Sequence, residues 1–407
     1  MESGKSRATR STLDRLEEKP KDVTPEVVDD FRNLIDALFG KRSGFEGRIG
    51  VLLDDDLGFI ADGSARRTGP LGPGVDSEIL VREESLRLMI KGELDPRQAL
   101  VFGGLSVRRG SVSMAMRFGD FLTGKPLVQA VKVVGTLPVA TRDRDRAGWD
   151  LDEFGYALID GALSQEELSR LRTRVLEQAA GERAAGKASI GESSQRIWNL
   201  INKGRAFHDL LLNPLIDAVV PERLGSHALL YGYVAQIALP GNVPSILHYD
   251  QICVQPKVPF PMGLNILWFL DEVSEANGGT RIVPGSHRAD MAPDDPFATE
   301  GTIAAEGKAG TALLLDSRVW HSVGNNVTDN PRHVLASFFV RSYMRTQENY
   351  ALSILPEVFE TLDDKVRIML GFRCTGSLGG VEGPMEGKMV RRPDSPVGAL
   401  DASGLPR

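Results

Sequence analysis

Residues 229–239 read LLYGYVAQIAL, and the same texture returns at 264–270 (LNILWFL), 279–285 (GTRIVPG), 310–317 (GTALLLDS) and 333–340 (HVLASFFV). Each run is short, apolar, rich in β-branched or aromatic residues, and bounded by Pro, Gly, Asn or Asp, which predicts strands. Many short strands in succession predict a barrel or jelly roll. Upstream, the polarity pattern changes period. Ser164 and Glu167 form a capping-box signature, and Leu168, Leu171, Val175 and Ala179 then recur at helical spacing. Residues 356–371 also read as helix, and 179–194 as a loop.

The N-terminal third alternates helix and strand. Thr24-Pro25 announces a helix to Phe39, followed by strands at Arg48–Leu53, Gly58–Asp62 and Ser77–Arg82 and a helix over Glu84–Lys91. ALVF at 99–102 predicts a further strand, then a glycine turn, a strand, and a helix presenting Val112, Met116, Phe118 and Leu122. The fold class expected is an α+β N-terminal domain followed by a barrel or jelly-roll domain with flanking helices. The expected boundaries are a flexible N-terminus at 1–24, an α+β domain at 25–127, a linker at 128–148, a second, strand-rich domain at 149–384 and a flexible C-terminus at 385–407.

Composition narrows the function. With net charge −7 over 407 residues there is no basic footprint, so no nucleic-acid partner is expected. Two cysteines, Cys253 and Cys374, give neither a disulfide framework nor a thiolate zinc site. The apolar runs fall far short of the roughly 20 residues that span a bilayer, so no transmembrane span is expected. The ends carry no recognisable targeting signal, and a cytoplasmic location is the default expectation. Residues 119–126, GDFLTGKP, approach a phosphate loop but end in Pro where Ser or Thr must meet magnesium, and G-x-S-x-G is absent. A homo-oligomer stays open.

The informative chemistry is His248-Tyr249-Asp250, then His321, then Arg332. On a strand, residues i and i+2 share a face, so His248 and Asp250 can offer an imidazole and a carboxylate to one metal ion. His321 would complete the 2-His-1-carboxylate facial set, which leaves coordination positions open for Fe(II) and O2 chemistry. A guanidinium binds a buried carboxylate bidentately, which makes Arg332 the expected anchor for the distal carboxylate of 2-oxoglutarate. The His-x-Asp pair alone says little, because six histidines yield about one His-x-acid match by chance. His208, His227, His287 and His333 read as structural or surface residues.

The surrounding text supplies the specificity. YVAQIALPGNVPSILHYDQ (233–251), LNILWFLDEVSEANGGTRIVPGSHR (264–288) and GTALLLDSRVWHSVGNNVTDNPRHVLASFFVRS (310–342) resemble the phytanoyl-CoA dioxygenase family of Fe(II)/2-oxoglutarate oxygenases. FGYALIDGALSQEELSRLR (154–172), RIWNLINKGRAFHDLLLNP (196–214) and LPEVFETLDDKVRIMLGFR (355–373) extend the likeness over about 149–375. The resemblance implies a double-stranded β-helix, iron held by His248, Asp250 and His321, 2-oxoglutarate anchored by Arg332, and dioxygen as co-reactant. It also implies that Gln236, Asn265 and, less directly, Thr280 and Arg281 line the cofactor pocket. Tyr249 and Trp320, beside ligands in sequence, point to the opposite face and read as packing. The carboxylate Asp250 disfavours the halogenating branch, where a small residue stands instead. SEILVREESLRLMIKGELDPRQALVFGGLSVRRGSVSMAMRFGDFLTG is similar to the sterol-carrier-protein type lipid-binding domain, over about 25–125.

The function expected is oxidation of a C–H bond in an apolar or amphipathic small-molecule substrate, such as a lipid, a terpenoid or another specialised metabolite. The competing readings are a catalytically silent lipid carrier and a cupin-like metalloenzyme that uses no oxo acid.

Overall fold

The computed structural model describes residues 23–389 apart from 43–44, 46, 54–56, 63–66, 69–73, 102, 111, 125–135, 192–193, 255–257, 289–300, 377 and 381–388. The described chain divides into two compact units, which part between Gln129 and Ala130. The expected flexible ends fall outside the described residues except for Val23, Thr24 and Met389.

In the first unit, α1 (Pro25–Phe39) starts with proline at its first position and buries Val28, Phe31 and Ile35 along one stripe. Five strands follow: β1 (Ile49–Leu52), β2 (Gly58–Ala61), β3 (Arg67–Thr68), β4 (Ser77–Val81) and β5 (Leu105–Gly110). They form one sheet in the order β3-β2-β1-β4-β5, with β1 and β4 parallel and the other pairs antiparallel. Helices α2 (Glu83–Ile90), α3 (Pro96–Val101) and α4 (Val112–Thr123) complete it. The strand expected at ALVF is therefore wrong. Residues 99–101 end α3, because Asp95 accepts from Arg97 N at 2.8 Å and Pro96 opens the helix; Phe102 lies outside the described residues. Met116, Phe118 and Leu122 are fully buried in this unit, while the side chain of Val112 lies outside the description.

The second unit begins inside the expected linker. Asp143 accepts from Asp145 N and Arg146 N and so starts α5 (Arg144–Phe154), which Gly155 ends at φ 78°. The charge alternation that suggested a linker is the N-cap and exposed first turn of that helix, preceded by Arg142. After β6 (Tyr156–Ile159), the capping box of Ser164 and Glu167 forms as expected and opens α6 (Gln165–Ala184). The loop expected at 179–194 begins as the last turns of α6, through Ala184. The rest holds β7 (Ser189–Ile190), paired with β8 (Gln195–Ile197).

Helices α7 (Arg205–Leu210) and α8 (Pro214–Leu224) precede β9 (Leu229–Ala238), β10 (Gly263–Phe269), β11 (Arg281–Ile282), β12 (Ile303–Ala304), β13 (Ala312–Asp316), β14 (His321–Ser322) and β15 (Arg332–Val340). Two short helices, Pro356–Thr361 and Asp364–Met369, follow. The strands make two antiparallel sheets, β6-β13-β10-β15-β9-β8-β7 and β12-β11-β14, the two-sheet arrangement of a jelly roll.

Strand alternation builds two cores. Tyr233, Ala235, Ile237, Ile266, Trp268 and Leu335 pack with helix residues such as Leu171, Val175 and Ile216 on the outer face of the large sheet. Leu267, Phe269, Leu313, Leu315, Val334 and Ala336 meet Ile282 of the small sheet on the inner face. Among the described residues no helix is long and apolar enough to cross a membrane.

Candidate metal centre and cosubstrate pocket

His248 and His321 form an isolated antiparallel bridge, His248 N donating to His321 O at 2.9 Å and His321 N to His248 O at 2.8 Å. Tyr249 is extended (φ −125°, ψ 138°), so His248 and Asp250 project to one side. The strand expected for His-x-Asp stops there. Asp250 opens a 3₁₀ turn through Cys253, because Gln251 N donates to Ser317 O while the side-chain Oε1 of Gln251 accepts from Met262 N and Ser317 Oγ.

The three side chains converge. Asp250 Oδ1 lies 3.8 Å from His248 Nε2 and 3.7 Å from His321 Nε2, and one ligand atom from each residue falls within 4.8 Å of the others. Among the described residues this is the sole His, Cys, Asp or Glu group so arranged. Both ring Nδ1 atoms meet carbonyls two residues back, Ile246 O at 3.0 Å and Val319 O at 2.9 Å. A carbonyl only accepts, so each Nδ1 carries a proton, and each Nε2, on the Asp250 side, is the nitrogen available to a metal. The surrounding protein, and then His321, push the His248 imidazole down to about 4. Its side chain nevertheless keeps 39% exposure. Water at that open edge softens the shift, but neutral imidazole, the ligating form, follows either way. Two imidazoles and one carboxylate suit a divalent iron. On the other side of the backbone, Tyr249 and Trp320 meet edge to face at 4.9 Å, a packing contact.

Arg332 opens β15 opposite Ala238 and is 3% exposed. One guanidinium nitrogen donates to Gly278 O, and its Nε has no partner. Burial pushes the group down to about 10, and the one acid whose charge reaches it is Asp271. That acid is engaged elsewhere: it accepts from His333 Nδ1 at 2.6 Å, from His333 N at 2.9 Å and from Arg172 Nε at 2.8 Å. A buried cation with an unused donor is a fitting seat for an anionic ligand.

The β-ladders place the softer candidates. Gln236 faces Val334 across the β9–β15 pairing, on the inner side with Val234. Asn265 shares the inner side of β10 with Leu267 and Phe269, and its Nδ2 donates to Asp250 Oδ2 at 3.3 Å. Thr280 is buried two residues before Ile282, and its carbonyl takes Ala305 N at 2.8 Å. Arg281 is spent on Glu275 at 2.7 Å and on Thr302 Oγ1 at 2.6 Å. Three of the remaining histidines are bound structurally: His208 Nε2 to Ile201 O, His287 Nε2 to Asp152 O, and His333 to Asp271.

Arg196 was missed. It pairs with Gln236, while its neighbours Gln195 and Ile197 are fully buried on the outer side, so Arg196 faces inward. Burial lowers its pKa with no acid to offset it, and its charge is felt at His248. The guanidinium stands 5.8 Å from the Trp198 ring. The only signal in the sequence is the alternation Gln195-Arg196-Ile197-Trp198, three residues of strand beside a stretch that reads as loop.

A jelly roll holding two imidazoles, one carboxylate and buried arginines on its inner face defines a class, the non-haem iron, 2-oxoglutarate-dependent dioxygenases. Within it, residues 151–334 match the family described as phytanoyl-CoA dioxygenase (PhyH), and the chain belongs to that family. It is 30% identical over 251 residues to dioxygenase aneA of Aspergillus aculeatus, covering 56% of this chain and 83% of that protein. It is also 28% identical over 245 residues to dioxygenase af480 of Aspergillus fumigatus, covering 58% of this chain and 79% of that one. A crystal structure of HygX from Streptomyces hygroscopicus, with nickel and 2-oxoglutarate bound, superposes at a TM-score of 0.42 with 17% identity, covering 52% of this chain and 90% of HygX. The comparisons give no evidence for a sterol-carrier-protein domain at the N-terminus.

Proposed function

We propose that His248, Asp250 and His321 bind Fe(II), that Arg332 anchors the distal carboxylate of 2-oxoglutarate, and that the enzyme oxidises a C–H bond of an apolar or amphipathic small molecule. The observation that carries this is the meeting of three donor atoms within 4.8 Å, with both imidazole protons already committed to backbone carbonyls. Bound there, iron supplies the redox chemistry by which dioxygen converts 2-oxoglutarate to succinate and carbon dioxide while a substrate C–H bond is oxidised.

The chain's own residues do the rest. Asp250 brings the one negative charge that offsets the divalent cation. Arg332 and Arg196 give an anionic cosubstrate two positive contacts on the inner face of the large sheet, Gln236 lies between them there, and Thr280 leads into the small sheet. Leu267, Phe269 and Val334, on the same inner face, form an apolar lining that keeps water from the oxidation. For the N-terminal unit, the role proposed is presentation of an apolar substrate, in the manner of a sterol-carrier domain. The support is its closed apolar interior around Met116, Phe118 and Leu122.

The test is anaerobic binding of Fe(II) and 2-oxoglutarate, followed by oxygen-dependent formation of succinate. Folded protein that binds neither Fe(II) nor 2-oxoglutarate and forms no succinate would return the chain to the carrier reading. Mass spectrometry of small molecules turned over under air would name the product, by gain of one oxygen or loss of two hydrogens.

A further inference from the structure

Asn265 occupies the middle of β10, hydrogen-bonded between β13 and β15, where it faces Leu315 and Phe338. A side-chain amide is disfavoured at the centre of a buried strand, and the neighbouring inner positions, Leu267 and Phe269, are apolar. A residue that breaks the local rule in this way needs a reason. Its amide supplies one. Nδ2 donates to Asp250 Oδ2 at 3.3 Å, whereas Asp250 Oδ1, the other oxygen, is the one facing both imidazoles at 3.8 and 3.7 Å. The two oxygens of one carboxylate therefore have different neighbours, and the difference is set from β10.

That asymmetry has a coordination consequence. A carboxylate that turned both oxygens to the metal would take one of the three positions a facial set leaves open. Two of those are needed for a chelating oxo acid and one for dioxygen. A donor fixed on Oδ2 opposes that rotation, because rotation breaks a hydrogen bond to a charged acceptor in a buried place.

We propose that Asn265 is a positioning residue that holds Asp250 as a one-oxygen ligand and so keeps the third open position free. The proposal rests on the assignment of His248, Asp250 and His321 as metal ligands. In this role Asn265 acts through its bond to Asp250.

The experiment is titration of the full-length apo protein with Co(II), followed by visible absorption, for wild type, Asn265→Leu and Asn265→Asp, with and without 2-oxoglutarate. Leucine fills nearly the same volume without donating, and aspartate keeps the shape but sets a like charge against Asp250. Loss of an outer hydrogen bond to a ligand weakens metal binding by roughly 10- to 100-fold. The expected result is that both variants weaken Co(II) by about that factor, aspartate the more, and that Asn265→Leu changes the Co(II) spectrum before 2-oxoglutarate is added. A purely packing role predicts that leucine is silent. Wild-type affinity and spectrum in folded Asn265→Leu would overturn the proposal, as would equal, unperturbed spectra in both variants. If wild type takes up no Co(II), or Asp250→Ala takes it up as well as wild type, the metal-centre assignment itself falls. That outcome is distinct from wild-type binding with an inert Asn265.

Discussion

The two faces of the large sheet are written by the same strands and carry opposite instructions. On β9, β10 and β15 the outward residues Tyr233, Ile237, Ile266, Trp268 and Leu335 are apolar or satisfied within the core, and helices cover them. One residue along, the inward set mixes Leu267, Phe269 and Val334 with Gln236, Asn265 and Arg332. Only the inward face retains buried polar atoms without partners, Asn265 Oδ1 and Arg332 Nε, on these three strands. The lesson is about strand parity. The outer face is built to be complete by itself, whereas the inner face is left chemically unfinished where a metal and an anion would finish it.

Substitutions on the two faces should therefore fail in different ways. The largest effect is expected from His321→Ala, which removes one of three donors. Metal uptake and succinate formation should both be lost, while the unfolding midpoint of the apo protein moves far less than for an outer-face change. Retained Fe(II)-dependent turnover would break the comparison. Trp268→Ala is the outer-face counterpart. The indole is fully buried and donates to Ser337 Oγ at 2.9 Å, so its removal should cost about 3–5 kcal/mol in denaturant unfolding. The fraction that remains folded should turn over with unchanged KM for 2-oxoglutarate. Next comes Arg332→Ala. Hydrogen bonds to charged groups contribute about 1.5–3 kcal/mol, so KM for 2-oxoglutarate should rise roughly 10- to 100-fold. Iron affinity should hold, a split that a cupin-like enzyme without an oxo acid would not show.

Much of this was legible in the sequence, and what was not has a physical cause. The long strands were readable because a half-buried strand writes its two faces at period two, and Leu229–Leu239, Leu264–Leu270 and His333–Val340 are long enough to show it. The triad was readable because His248, Asp250 and His321 sit in a stretch of family-like text, although the strand expected beneath Asp250 is a turn held by Gln251 and Ser317. Short elements were not readable. Pro96–Val101 looks like a strand because ALVF is apolar throughout, and only the Asp95-Pro96 cap reveals the helix. Arg196 was hidden because three residues of strand carry too little alternation to declare a face. Asp271 was hidden for a different reason: its meaning comes from the register that sets Leu270 against His333, and register is not local.

Asp271 also gives the smallest and sharpest test, because it stands where the two faces meet, bonded to His333 directly after Arg332. Burial alone would raise its pKa, but the bonds from His333 and Arg172 outweigh burial and hold it at about 2. An unfolded aspartate titrates near ~3.9, so the folded value is depressed. The charged form then stabilises the fold fully above about pH 4, and that contribution drains away as pH falls toward 2. Asp271→Asn keeps an acceptor for His333 but cannot titrate. Wild type should be the more stable at pH 6, the gap should narrow steadily between about pH 4 and 2, and urea midpoints across that window would read it. A constant gap from pH 6 to 2 would mean that the bonds matter through shape alone, and that the outer face supports Arg332 without lending it charge. The effect is ranked last because Asp271 keeps partial contact with water, which screens its pairing with Arg172.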